Sequence, residues 1–398
     1  MVRIWAMTLL LSATALPASA QWSTATMPQA RIRFAATATD GKLYIAGGLS
    51  PTGVSDVVDV LQISTGSWTQ LNLSGPRQLL CAASVGHEVF FGGGVPTVNT
   101  SVGFSDTVDI YDELTGTWSI ENLPVSLAQI GAGSFGTKVY FAGGGHPFVV
   151  PIIQVFDTLS RTWTVRRMSG PGHASSKVLA DERWLCIGAG GGPMPAQRLI
   201  DIYDSWSDSW TQIVAPEDMV TMALGEGRLQ MVPCLFGPEE KTLHEYDLEA
   251  GVWSTRQRPT VRCHPHSDSI GPFLVLAHGF PLSGPVHGDV DVYNRVSDEW
   301  RTDPLSVAAS RRATAVHGPS GSIFLIGGDT TQTGQGLVQN IDIFRPDRDI
   351  GTTYCSPAPA NSSGQSAHIE AVGTAAVVDN WFTLGLTGGP PGQFALFL

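Results

Sequence analysis

The chain has 398 residues, with 35 acidic against 23 basic side chains and a formal net charge of −12. That balance excludes a general nucleic-acid binder, whose affinity comes from neutralising phosphates. Nineteen of the basic residues are arginine and four are lysine, which makes arginine placement worth following, because its planar fork suits carboxylates and phosphates.

Residues 1–20 read as a processing signal. Arg3 supplies a positive charge, residues 4–16 form a short apolar run, and Ala18–Ser19–Ala20 is a small-residue cleavage site. The mature chain is expected to begin near Gln21 and to be exported: extracellular, periplasmic or on the cell surface. No later segment offers the eighteen uncharged apolar residues of a spanning helix.

From residue 43 onward a pattern recurs about every 46 residues, the mark of an array of similar units. Apolar runs at 43–48, 89–94, 139–144, 184–189, 229–231, 273–277 and 323–328 read as strands, most ending in glycine. An aromatic then precedes a tryptophan by seven positions: Tyr111/Trp118, Phe156/Trp163, Tyr203/Trp210, Tyr246/Trp253 and Tyr293/Trp300, with Leu61/Trp68 in the first unit. Phe344 opens a seventh pair, but Gly351 stands where the tryptophan belongs. Trp22, followed by Met27–Pro28 much as Trp118 is followed by Leu123–Pro124, is expected to supply it. The N-terminal strand then closes the array into a ring and removes its open edges.

The run Asp40–Gly41–Lys42–Leu43–Tyr44–Ile45–Ala46–Gly47–Gly48, then Val58–Asp59–Val60, then Thr65–Gly66–Ser67–Trp68 resembles the kelch repeat, over residues 21–345. The resemblance implies an all-β fold: a seven-bladed kelch-type β-propeller, four antiparallel strands per blade, closed by the N-terminal strand. Two units depart from the pattern, since Met231–Val232–Pro233 and Ala277–His278–Gly279 replace the glycine pair, and are expected to be irregular. Each glycine pair ends a strand where backbones pack closely, and each outer tryptophan offers an apolar face to the next blade. Asp59, Asp109, Asp201, Asp291 and Asp342 recur two residues before the third-strand aromatic, so they read as structural or solvated positions. Periodic residues build the ring; aperiodic loop residues are where function is to be sought.

Residues 346–398 stand outside the repeat. A turn-rich segment around Tyr354–Cys355 leads to short alternating runs at 367–374 and 381–386 and an apolar end at 393–398. This resembles the start of a C-terminal β module of some secreted bacterial proteins, here incomplete; the other reading is a short β appendage docked on the ring. Cys81 and Cys186 suit buried strand positions. Cys234 and Cys263 border neighbouring units, and a bond between them is one pairing; Cys355 is a further thiol without an assigned partner.

Family members of this type meet ligands on the face built by the loops joining second to third strands and each outer strand to the next blade. Arg31, Arg77 and Arg311 align just before the innermost strands, with Arg262 one place off. Either each caps its own blade by bonding loop carbonyls, or together they form an arc for a carboxylate-bearing ligand. His264 and His266 share one face of an extended strand, and His173 lies on another loop. No zinc-type spacing accompanies them, and no metal is assigned. Glu217 precedes the innermost strand of blade 5 and would face the arginines across the mouth, unless it is an ordinary solvated charge. No nucleophile elbow, P-loop or dinucleotide fingerprint occurs, and no cofactor is assigned. All seven tyrosines fall on blade strands or in the tail, which disfavours galactose-oxidase-like copper chemistry. The expectation is an exported propeller that binds or scaffolds a protein or glycan ligand, with an acidic one suiting the arginine arc. The alternative is a carbohydrate-active enzyme resembling a sialic-acid mutarotase, although such enzymes are expected to have six blades. A purely architectural surface protein is a third reading.

Overall fold

A computed structural model describes residues 21–101, 103–145, 150–170, 176–188, 198–233, 241–262, 265–279, 288–307, 314–318, 321–330, 336–346, 368–373 and 382–387. The repeat folds as seven four-stranded antiparallel sheets. In blade 1 the strands are Ala35–Thr39, Lys42–Ala46, Val57–Gln62 and Ser67–Asn72, from axis to rim. The second strands are almost wholly buried, whereas outer strands alternate exposed and half-buried positions. That is the pattern of sheets covered on both faces near the axis and solvated at the rim. The innermost strands stand side by side around the axis, and Thr314–Gly318 of blade 7 neighbours both His266–Ile270 of blade 6 and Ala35–Thr39 of blade 1.

The ring closes as the tryptophan pattern predicts. Trp22–Thr26 pairs antiparallel with Asn340–Phe344 as the outer strand of blade 7, with Trp22 opposite Phe344. Their ring centroids are 5.0 Å apart, matching the 4.8 to 5.3 Å of the other aromatic pairs. The Trp22 indole N–H donates to Asp303 Oδ2 of blade 6 at 2.8 Å.

Among the described residues the buried apolar side chains fall into seven clusters, one in each interface between adjacent blades. Trp118 packs with the blade 1–2 cluster, Trp163 with the 2–3 cluster and Trp22 with the 6–7 cluster. Each outer tryptophan therefore faces the preceding blade. An aromatic contact of this kind contributes about 0.5–1.5 kcal/mol beyond its burial, repeated around the ring.

One glycine shows why the pairs recur. Gly48 has φ 96°, and a Cβ there would lie 2.7 Å from the Ile32 carbonyl oxygen. Its N–H donates to the Arg77 carbonyl in the segment entering blade 2, at 2.8 Å. The blades without a glycine pair solve the turn differently. In blade 6, His278 takes the left-handed conformation (φ 58°) before Gly279. In blade 5 the second strand runs through to Pro233, and the pairing of its first two strands slips between Met219 and Thr221.

In the C-terminal segment, His368–Gly373 pairs antiparallel with Phe382–Thr387. Cys81 and Cys186 are buried free thiols, and burial pushes the Cys81 thiol up to about 12. Residues 1–20, Cys234, Cys263 and Cys355 lie outside the described residues. Among those described, no helix is long and apolar enough to cross a membrane.

Candidate functional site

The segment entering each blade is tied to that blade's third strand by one polar side chain, two residues before the aromatic position. Asp59 holds the Arg31 guanidinium, and Asp109 holds Arg77 together with the Ser74 N–H (3.1 Å). Gln154 accepts from the Val125 N–H at 2.7 Å, and Asp201 from the Ser169 N–H at 3.0 Å. Asp291 pairs with Arg262 at 3.0 Å, and Asp342 accepts from the Ser306 N–H at 3.0 Å. In blade 5 the polarity is reversed: His244 occupies the strand position and Glu217 the entering segment. His244 Nε2 lies 3.6 Å from Glu217 Oε2, within ion-pair range but beyond hydrogen bonding. Among the described residues, neither nitrogen of the buried His244 ring has a hydrogen-bond partner.

These ties decide the fate of three arginines. Arg31, Arg77 and Arg262 are all buried. Arg31 also donates to the Val57 carbonyl (2.8 Å), Arg77 to the Gly93 and Thr107 carbonyls (2.9 and 2.7 Å) and Arg262 to the Asp289 carbonyl (2.9 Å). They therefore cap their own blades, and they do not form an arc open to a ligand. Burial lowers the pKa of Arg31 and Arg77, with the partner aspartates acting in the opposite direction. Glu217 faces His244 instead of an arginine across the mouth. His266 lies 6.0 Å from His278, ring centre to ring centre. Arg311, His173 and His264 lie outside the described residues. Among the described residues no three His, Cys, Asp or Glu side chains gather into a metal site.

The opposite face is built by the turns between first and second and between third and fourth strands. A cavity of about 950 Å³ enters the axis there. Its walls are small residues of the innermost strands, including Ala36, Ala38, Ala82 and Gly133. Hydroxyls on these strands are already engaged: Ser84 donates to the Ala38 carbonyl (2.8 Å), Ser134 to that of Ser84 (2.7 Å) and Ser267 to that of Met222 (3.0 Å). Lys177 of blade 4 donates to the Ser267 carbonyl of blade 6 at 2.6 Å. Burial lowers its ammonium to about 8, against the pull of Asp268.

At the rim of this cavity stand Asp181, Glu182, Arg183, Trp184, Trp206 and Glu226. Arg183 is sandwiched, with its guanidinium carbon 4.2 Å from the Trp184 ring centre and 4.0 Å from that of Trp206. It holds Asp204 through two bonds of 2.8 and 3.0 Å and also contacts Glu249 of blade 5. The pair with Arg183 is the first cause keeping the Asp204 carboxyl well below its ordinary value. Trp206 remains 78% exposed. Sequence reasoning missed this group, although the signal existed. Trp184 and Trp206 are tryptophans outside the seven periodic positions.

A Kelch motif family model matches residues 30–72, the segment entering blade 1 and that blade. No curated protein matches the chain. A solved structure, titled "Structure of YjhT", is similar in fold. It is 13% identical, with a TM-score of 0.54, and the match covers 90% of this chain and 99% of that one.

Proposed function

We propose that this kelch-repeat β-propeller is an exported binding module. Its ligand enters the axial cavity from the face that carries Arg183 and Trp206. One observation carries the reading: among the described residues, the blade-entry arginines Arg31, Arg77 and Arg262 are consumed by the ties to the third strands, while the rim around Glu182 and Trp206 keeps exposed charge and an exposed indole beside a cavity of about 950 Å³. The carboxylates at that rim favour a neutral or cationic ligand over an acidic one. The mutarotase-like alternative asked for an arginine facing a carboxylate at the mouth, and Arg31, Arg77 and Arg262 are not available for that role.

Fluorotryptophan NMR of the mature chain, titrated with panels of oligosaccharides and peptides, tests the site whatever the ligand. The resonances of Trp184 and Trp206 are expected to move while those of the seven ring tryptophans stay. A ligand that leaves both rim signals unmoved would sink the reading. Faster exchange between sialic-acid anomers would promote the enzyme instead.

A further inference from the structure

We infer that Trp206 is the stacking platform of a subsite for a neutral sugar ring. The inference rests on the binding face proposed above and names the ligand class. The position Trp206 occupies in the turn between third and fourth strands holds Leu114 in blade 2, Leu159 in blade 3 and Val296 in blade 6, all exposed. An exposed aliphatic side chain at a turn is ordinary. Trp206 differs because it is held from behind. The Arg183 guanidinium lies 4.0 Å from its ring centre and is itself fixed by two bonds to Asp204. The Trp206 backbone N–H donates to the same carboxylate at 3.0 Å, a turn bond that Leu114, Leu159 and Val296 also make, so the guanidinium is what sets the indole apart. One indole face is therefore covered and oriented, and the other is offered to the solvent. Ordering a side chain before binding removes a cost that the ligand would otherwise bear.

The chemistry around the open face selects the ligand. A flat hydrophobic face suits the C–H face of a pyranose, just as aromatic side chains serve as platforms for other flat ligands. Glu182, exposed on the same rim, offers two carboxylate oxygens to neighbouring hydroxyls, and charge-assisted bonds of this kind are the stronger ones. An anionic sugar would meet the Glu182 carboxylate on that rim, while Glu226 and Glu249 are held by Arg295 and Arg183. A simple cation needs only the carboxylates and gains less from this indole, because its inner face already carries a guanidinium. A neutral ring uses both parts.

The test uses the full mature chain against immobilised cello-, xylo-, manno- and malto-oligosaccharides, with polygalacturonate and polylysine as charged probes. At least one neutral series is expected to bind. Trp206→Ala should weaken that binding about tenfold, as loss of a stacking contact implies. Trp206→Phe should retain most of it, and Glu182→Gln should weaken it several-fold. Leu159→Ala should leave it unchanged. Because Trp206 is exposed, unchanged thermal unfolding is expected for its variants. Binding of charged probes alone, or of none, overturns the inference. Neutral-sugar binding insensitive to Trp206→Ala also overturns it. In either case movement of the Trp184 fluorine signal by a peptide would leave the binding face standing, and its failure to move would remove both.

Discussion

The guanidinium of Arg31 and the carboxylate of Asp59 lie in contact with neither side chain exposed, although they are 28 positions apart in the chain. A buried ion pair is costly to break, because the survivor keeps its charge without a partner. Arg31→Met is therefore expected to lower unfolding stability by about 3–5 kcal/mol. The double change Arg31→Met with Asp59→Leu should recover much of that loss in urea titrations. A double-variant loss equal to the sum of the Arg31→Met and Asp59→Leu losses would show that the pair is not coupled.

Blade 5 allows the opposite experiment. Pro216 follows Ala215 as Pro124 follows Leu123, and in blade 3 the Gln154 amide binds both N–H and carbonyl of Val125, at 2.7 and 3.2 Å. His244→Gln should reproduce that arrangement at the Glu217 backbone and remove two buried ring nitrogens that lack hydrogen-bond partners. The urea midpoint is expected to rise, by about 0.5–1.5 kcal/mol of stability. His244→Asp should lower it, since two carboxylates would then face each other. A fall for both variants would contradict this account of the tie.

His278 sets a pH dependence. Burial, with the Arg262 charge acting in the same direction, lowers its imidazole to about 4. The unfolded chain binds a proton near the usual value of about 6.5, so the unfolded state holds more protons between the two. Stability should be complete above that upper value and fall as pH drops towards 4, by up to about 3 kcal/mol from this one group. Comparing wild type with His278→Asn, which also tolerates the left-handed backbone, isolates the effect. Equal slopes in that window would refute it.

Closure can be weakened from the N-terminal side. Trp22→Ala removes the stack on Phe344 and the bond to Asp303. Because Trp22 is only half-buried, a loss of about 2–4 kcal/mol is expected, near the low end for aromatic truncation. Proteolysis should then cut first in blade 7. Unchanged stability, or first cleavage in another blade, would show that this strand does not secure the ring.

The ring was readable because its signals are periodic. Trp22 could be assigned to the last blade because Met27–Pro28 repeats the residues that follow other outer strands. The recurring aspartates and the aligned arginines were both visible, but the contact between them was not. Arg31 and Asp59 meet only once the segment entering a blade is laid across its third strand, a long-range consequence of register. Local spacing therefore pointed equally to an open arc. Trp206 was hidden for another reason. It lies three residues from Tyr203 and four from Trp210, so it blends with a periodic aromatic pair, and only folding turns it outward.

The seam between Gln21 and Pro346, 325 positions apart, imposes a timetable. A polypeptide made from its N-terminus holds the first rim strand ready long before its mate exists. At ribosomal speeds the wait is about 15–65 s. Six sectors have time to assemble while the first rim strand's edge stays unpaired, exposed until its mate is made.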